Sequence, residues 1–215
     1  NWLLNLGFLV ITGKIDRATN IFAVTSTATV NPPKLMGIDL SLTSTGVSFL
    51  GDTFAIQSKL RGTERLVEIS ERLVNFAQDV QPVAIVMEGY SFGSKFSRAH
   101  SIGELGGAVK VGLHKAGFRM VEVPPKCRAK FATGNGNAGK DEVLAAVKEI
   151  VPEKFVESFG DDECDAWVLE HMAYAQIGES PYKWSDQQMS ALEKVDWTPL
   201  YEALRRNARW SELLP

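Results

Sequence analysis

Between Lys34 and Lys59 three short β-prone runs follow one another, joined by connections too short for anything except antiparallel pairing. They are KLMGIDLS at 34–41, TGVSFL at 45–50 and TFAIQSK at 53–59, with Gly51-Asp52 between the last two. After them the period changes. Leu66, Ile69, Leu73, Phe76, Ala77 and Val80 recur at helical spacing over residues 64–80, and Pro82 ends that helix. The run VAIVM at 83–87 reads as a strand buried on both faces. A helix over 98–116 carries Ile102, Leu105, Val109 and Leu113 on one stripe, and RMVEV at 119–123 is a fifth strand stopped by Pro124-Pro125. Helices are expected at 126–132, at 140–150, from Asp161 to about Gln176, and at 198–208 in a tail that carries Trp184, Trp197 and Trp210. A meander followed by βα units predicts an α/β fold: a mixed five-stranded sheet flanked by helices.

The start of the chain is less defined. Asn1 to Ile11 is apolar but lacks a basic region before it and a small-residue cleavage site after it, a poor signal peptide. Residues 8–13 and 21–30 are β-prone and Asn31-Pro32-Pro33 breaks the chain. Residues 1–33 are therefore expected as an appendage or an extra edge hairpin, 34–177 as the main domain, and 178–215 as a partly helical extension. No apolar run reaches membrane-spanning length. Two cysteines, Cys127 and Cys164, make neither a metal quartet nor a disulfide framework, so a reducing, cytoplasmic setting is expected.

Four acids stand out. Asp39 lies inside an apolar strand between Ile38 and Leu40, where a carboxylate is costly unless something compensates it. Glu88 follows the apolar run 83–87 at a strand's carboxyl end, where ligand groups of open α/β sheets collect. Asp162 and Asp165 are spaced i, i+3 at a helix start, so both project from one face. Such a set can hold two hard divalent cations that activate water and stabilise a leaving phosphodiester oxygen. Singly, each acid also reads as a strand end, a loop residue or a helix-start acid favoured by the dipole. Their joint occurrence on this element order points to a site.

The blocks GIDLSLTSTGVS at 37–48, IVMEGY at 85–90, ATGNGNAGKDEV at 132–143 and DDECDAWVLEHMAYA at 161–175 resemble the RuvC-type Holliday-junction resolvases, most nearly their phage branch. The resemblance covers about residues 34–177. It implies a ribonuclease H-like fold with Asp39, Glu88, Asp162 and Asp165 as catalytic metal ligands. It implies two Mg2+ ions, with Mn2+ able to substitute. Asp39 would be shared by both ions, Glu88 and Asp165 would hold one each, and Asp162 would assist. It further implies a homodimer that nicks a four-way DNA junction symmetrically in recombination and repair, leaving 5′-phosphates. Wider action on flaps or forks stays open.

Residues 134–140, GNGNAGK, imitate two nucleotide motifs. The preceding segment reads as a helix, where a dinucleotide fingerprint needs a strand, and Asp141 stands where a P-loop needs Ser or Thr. The resemblance assigns the loop's amides and Lys140 to a DNA phosphate instead. A local charge excess agrees with that. Residues 91–148 carry ten basic side chains against four acidic ones, whereas 149–170 carry eight acids and Lys154, within a chain of net charge −3. Lys126, Arg128 and Lys130, on one short helix, are the best DNA-binding candidates beside Lys140. Tyr90 and Phe92 are candidates for stacking on bases, and the neighbouring Phe96 shares that loop. The three histidines, His100, His114 and His171, read as structural or solvated. An actin- or sugar-kinase-like ATPase would need a second similar domain, which 215 residues with one meander do not supply. A non-catalytic DNA-binding module has no need of the four acids.

Overall fold

The computed structural model describes residues 8–16, 21–30, 32–89, 96–151 and 160–207. Phe8–Asp16 (β1) and Ile21–Val30 (β2) pair antiparallel as a two-stranded sheet of their own, so the hairpin is present and its first strand runs on to Asp16. The main sheet is built from Leu35–Asp39 (β3), Ser44–Phe49 (β4), Asp52–Gln57 (β5), Ala84–Glu88 (β6) and Met120–Val123 (β7), in the order β5-β4-β3-β6-β7. The first three strands are antiparallel, and β6 and β7 run parallel to β3. Gly62–Val80 (α1) joins the meander to β6, and Phe96–Lys115 (α2) is the crossover from β6 to β7. The chain continues through Pro125–Thr133 (α3), Lys140–Ile150 (α4), Asp161–Gln176 (α5), Asp186–Met189 (α6) and Thr198–Arg206 (α7). None of the described helices is long and apolar enough to cross a membrane.

The sequence reading placed the β4–β5 turn at Gly51-Asp52. The turn residues are instead Leu50 and Gly51, at φ 54° and 80°, and Phe49 pairs with Asp52. Two successive positive φ values suit the right-handed twist of a tight hairpin, although a leucine accepts the first only at a cost.

Strand alternation divides the interior in two. Met36, Ile38, Val47, Ile56, Ile85 and Met87 face α1 and α2, where Ile69, Leu73, Ala77, Leu105, Val109 and Leu113 meet them. Leu35, Ala84, Val86, Val121 and Val123 face the other way, onto Phe131 of α3, Val143 and Val147 of α4, and Trp167, Val168, Leu169 and Met172 of α5. Helix α5 is covered on every side, since all residues from Cys164 to Ala175 are buried. It lies directly on the sheet because Gly37 and Gly46 have no side chain. A Cβ at Gly37 would sit 2.0 Å from the carbonyl oxygen of Ala166, and one at Gly46 would sit 1.9 Å from that of Asp162. Both obstacles are backbone and cannot swing aside.

Glu170 of α5 fastens the same contact from within. It is fully buried and accepts hydrogen bonds from Ser48 Oγ at 2.5 Å and from the Gly51 amide at 3.2 Å. Burial is the main cause that pushes its carboxyl up to about 8, against the opposing pull of those donors. The extension after residue 178 packs on α3. Trp184 meets Phe131 at a ring distance of 4.2 Å, Gln188 Nε2 donates to the Ala132 carbonyl, and Gln187 Nε2 donates to the Gly134 carbonyl, each at 3.0 Å. These two amides serve carbonyls that the end of α3 leaves without helical partners.

Candidate active site

Asp39 is the last residue of β3 and Glu88 the last of β6. The parallel register pairs Ile38 with Met87, so the next residue on each strand brings the two acids level at the sheet's carboxyl end. Period-two alternation puts Asp39 on the same face as Gly37, and Glu88 on the same face as Ala84 and Val86, which is the face under α5. Asp165 descends from α5 onto that spot. One carboxylate oxygen from each of Asp39, Glu88 and Asp165 lies within 4.8 Å of the others.

Asp162 does not join this trio. It sits one turn nearer the mouth of α5 and faces Lys140, whose Nζ is 3.9 Å from its Oδ1. Its charge still reaches the group, since it helps raise the pKa of both Asp39 and Asp165.

Arg128 enters the trio from α3. Its Nε donates to Glu88 Oε2 at 2.9 Å and its Nη1 donates to the Asp165 carboxylate, with only 11% of its side chain exposed. The sequence reading put Arg128 on a DNA-facing surface beside Lys126 and Lys130. The structure turns it inward, while Lys126 is exposed and Lys130 half-buried. Nothing in the sequence spacing marks this inward turn, because a lone arginine between Cys127 and Ala129 fits either side of a short helix.

Burial, then repulsion from Glu88 and Asp165, holds the Asp39 carboxyl well above the usual carboxylate range, with Arg128 pulling the other way. Burial likewise pushes Asp165 up to about 6, opposed by Arg128 and reinforced by Glu88. Burial works against the Arg128 charge, but Glu88, Asp165 and Asp39 outweigh it and keep the guanidinium protonated. Negative charge is thus crowded here beyond what one guanidinium relieves. An oxygen-only donor set of this kind suits a hard divalent cation such as Mg2+, whose remaining positions go to water and phosphate. The residues present fit that group.

The glycine loop lies between two helices, α3 and α4, and has no strand before it. Several of its amides are already engaged. Asn135 N donates to Thr133 Oγ1, Asn137 N to Asn135 Oδ1, Ala138 N to the Asn135 carbonyl, and Gly139 N to Glu142 Oε2. A phosphate would have to displace those bonds. The Lys140 side chain, 62% exposed at the first position of α4, is open to it. Tyr90, Phe92 and Lys95 lie outside the described residues, and so does Trp210.

His171 is buried, its ring stacked on Trp167 at 3.8 Å and its Nδ1 2.9 Å from the Trp167 carbonyl. Burial lowers its pKa to about 4, which fits the structural role expected for it. Cys127 and Cys164 are buried free thiols, and burial pushes Cys164 up to about 12. The site residue that sequence reasoning missed is Arg128 in its inward position. Glu170 was missed too, although the cost of a buried carboxylate, which marks Asp39, applies equally to a glutamate inside VLEHMAYA.

No family model matches the chain. Among curated proteins it is similar to the crossover junction endodeoxyribonuclease RuvC of Treponema denticola, 29% identical over 130 residues that cover 55% of this chain and 73% of the relative. It is also similar to RuvC of Synechococcus sp. strain CC9311, 28% identical over 132 residues, covering 53% of this chain and 81% of the relative. Among solved structures, T. thermophilus RuvC in complex with a Holliday junction substrate matches at a TM-score of 0.54 and 20% identity, over 72% of this chain and all (100%) of that one. A second Thermus thermophilus RuvC structure gives 0.52 and 22%, over 71% and 99%. The structural likenesses carry the ribonuclease H-like fold. With the sequence similarities added, the chain is a distant relative of the RuvC-type crossover junction resolvases.

Proposed function

We propose that this chain is a metal-dependent endonuclease that cuts branched DNA, resolving four-way junctions by paired symmetric nicks. The observation that carries the reading is the meeting of Asp39, Glu88 and Asp165 from three separate chain segments at one sheet end. The junction as substrate comes from the names of the relatives, one of which was solved with such DNA. Mg2+ or Mn2+ bound there would activate a water for in-line attack and neutralise the departing 3′-oxygen, leaving a 5′-phosphate. Asp39 would be the shared ligand, with Glu88 and Asp165 holding one ion each and Asp162 assisting from the rim. Lys126, Lys130 and Lys140 steer and hold the phosphate backbone, and Tyr90 and Phe92 meet bases at the branch. Residues 34–177 form the nuclease domain, with 1–33 and 178–215 as additions, in an enzyme of the phage-like branch. Two symmetric nicks call for two copies of the site, hence a homodimer, in the reducing cytoplasm where two buried thiols stay free.

The test is cleavage of a four-way junction, a flap and a plain duplex with Mg2+, by the native protein and by Asp39→Asn. The junction should be cut in preference. Asp39→Asn should bind it and leave it intact, because binding rests on basic groups elsewhere. Full cleavage by Asp39→Asn would remove the acids from the mechanism. Equal cutting of plain duplex would replace junction specificity with general nuclease action.

A further inference from the structure

Arg128 holds two of the three carboxyl groups that a cation needs. Glu88 Oε2 accepts from its Nε at 2.9 Å, and the Asp165 carboxylate accepts from its Nη1. Asp39, Glu88 and Asp165 gather three carboxyl groups around this one guanidinium. A divalent ion coordinated by those carboxylates would meet a positive charge within bonding distance of two of its ligands. Both cations cannot hold the same lone pairs, and at such range their repulsion is large. The guanidinium fork has one other partner of matching geometry in a nuclease, a phosphate oxygen pair. Arg128 sits on α3 between Lys126 and Lys130, the helix that leads into the glycine loop and Lys140, so the phosphate backbone would pass close by.

Building on the metal-dependent reading of the site, we propose that Arg128 is a two-position cation: paired with Glu88 and Asp165 in one position, and with a DNA backbone phosphate in the other once the carboxylates bind metal. Metal and DNA then favour each other's binding, because each removes or rewards the same side-chain movement. Linkage makes the effect reciprocal. A latch closed nine-tenths of the time weakens apparent metal affinity about tenfold, since the competent fraction divides the intrinsic constant. Arginine serves this exchange better than lysine, whose ammonium cannot span two carboxylates with a planar fork.

The experiment measures Mn2+ binding to the full chain without DNA, from the free-ion signal in electron paramagnetic resonance, for the native protein, Arg128→Met, Arg128→Lys and Asp39→Asn. Arg128→Met should bind Mn2+ about tenfold more tightly. Arg128→Lys should shift in the same direction by less, and it carries the test if the methionine variant does not fold. Asp39→Asn should lose binding. Junction affinity, read by fluorescence anisotropy, should rise in the native protein between EDTA and Ca2+, and this gain should shrink in Arg128→Met. Unchanged or weaker Mn2+ binding in both Arg128 variants, with Asp39→Asn still defective, overturns the latch and leaves the metal site standing. Unchanged binding in Asp39→Asn overturns the metal site and the latch together. An undiminished Ca2+ gain in Arg128→Met removes the phosphate position.

Discussion

The two faces of the central sheet are made by the same strands and obey different rules. Towards α1 and α2, β3 offers Met36 and Ile38, and β6 offers Ile85 and Met87. Towards α5, β3 offers Gly37 and Asp39, β4 offers Gly46 and Ser48, and β6 ends in Glu88. One face is filled with side chains that have rotamer freedom and apolar neighbours. The other also buries Leu35, Ala84, Val86, Val121 and Val123, but at Gly37 and Gly46 it has side chains removed so that a helix backbone can come down, and acids placed where it lands. Both faces contribute hydrophobic burial, and the second also fixes position. Substitutions should therefore be graded on one face and abrupt on the other.

The largest effect is expected from Gly46→Ala. Its new methyl would overlap the Asp162 carbonyl at 1.9 Å, and relief requires lifting α5 and with it Asp165. A cost of about 3 kcal/mol or more is expected, at the upper end for overpacking. Chemical denaturation checks this, and a variant as stable as the native protein would mean α5 is held less tightly than its contacts indicate.

Glu170 gives the next effect, and a signed one. Its folded-state carboxyl at about 8 lies above the ordinary 4.5, so the folded protein keeps a proton that the unfolded chain releases. The stabilising share is full below about pH 4.5 and declines towards pH 8 by about 1.4 kcal/mol per pH unit. Glu170→Gln should abolish that decline and be relatively more stable at pH 8 than at pH 5. Urea unfolding of both proteins at the two pH values would show it, and parallel pH curves would mean the buried acid does not titrate in this range.

On the apolar face Ile38→Val should cost only about 0.5–1.5 kcal/mol. Ile38 is adjacent to Asp39, so retained junction cleavage by this variant would separate the two faces at neighbouring residues. A loss of cleavage at full stability would erase the distinction.

The smallest effect concerns Lys140→Ala, expected to reduce the salt slope of DNA binding by roughly 0.9, one phosphate contact. Lys115, at the end of α2 and so at the opposite end of the sheet, is the control and should change nothing. Equal slopes for the two variants would make Lys140 a solvated side chain.

Much of this division could be read from the chain. Apolar runs and breakers place the five strands and their order, because short turns force antiparallel pairing and interposed helices force crossovers. Asp39 and Glu88 are visible as acids at the edge of apolar runs, and strand ends are a coarse target. Spacing could not separate Asp165 from Asp162. Both project from one side of α5, and only the height at which the helix meets the sheet decides that one reaches Asp39 and the other reaches Lys140. The β4–β5 turn was misplaced by one residue for a similar reason. Leu50 accepts a positive φ because the strand register requires it, and Glu170, distant in sequence, bonds the neighbouring Gly51 amide. Arg128 was recognised by charge alone, and charge does not tell a side chain that meets solvent from one that meets acids.

The packing of Trp184, Gln187 and Gln188 on α3 has a consequence for the order in which the protein is made. Asp39, Glu88, Arg128 and Asp165 all leave the ribosome before those three residues do. Until Trp184 arrives, Phe131 lacks its ring neighbour, and the carbonyls of Ala132 and Gly134 lack the donors that later serve them. The C-terminal end of the helix bearing Arg128 therefore gains these partners late in synthesis, after every acid of the site has been made. A chain stalled before residue 184 would hold the three acids and Arg128 while the end of α3 still lacked those partners.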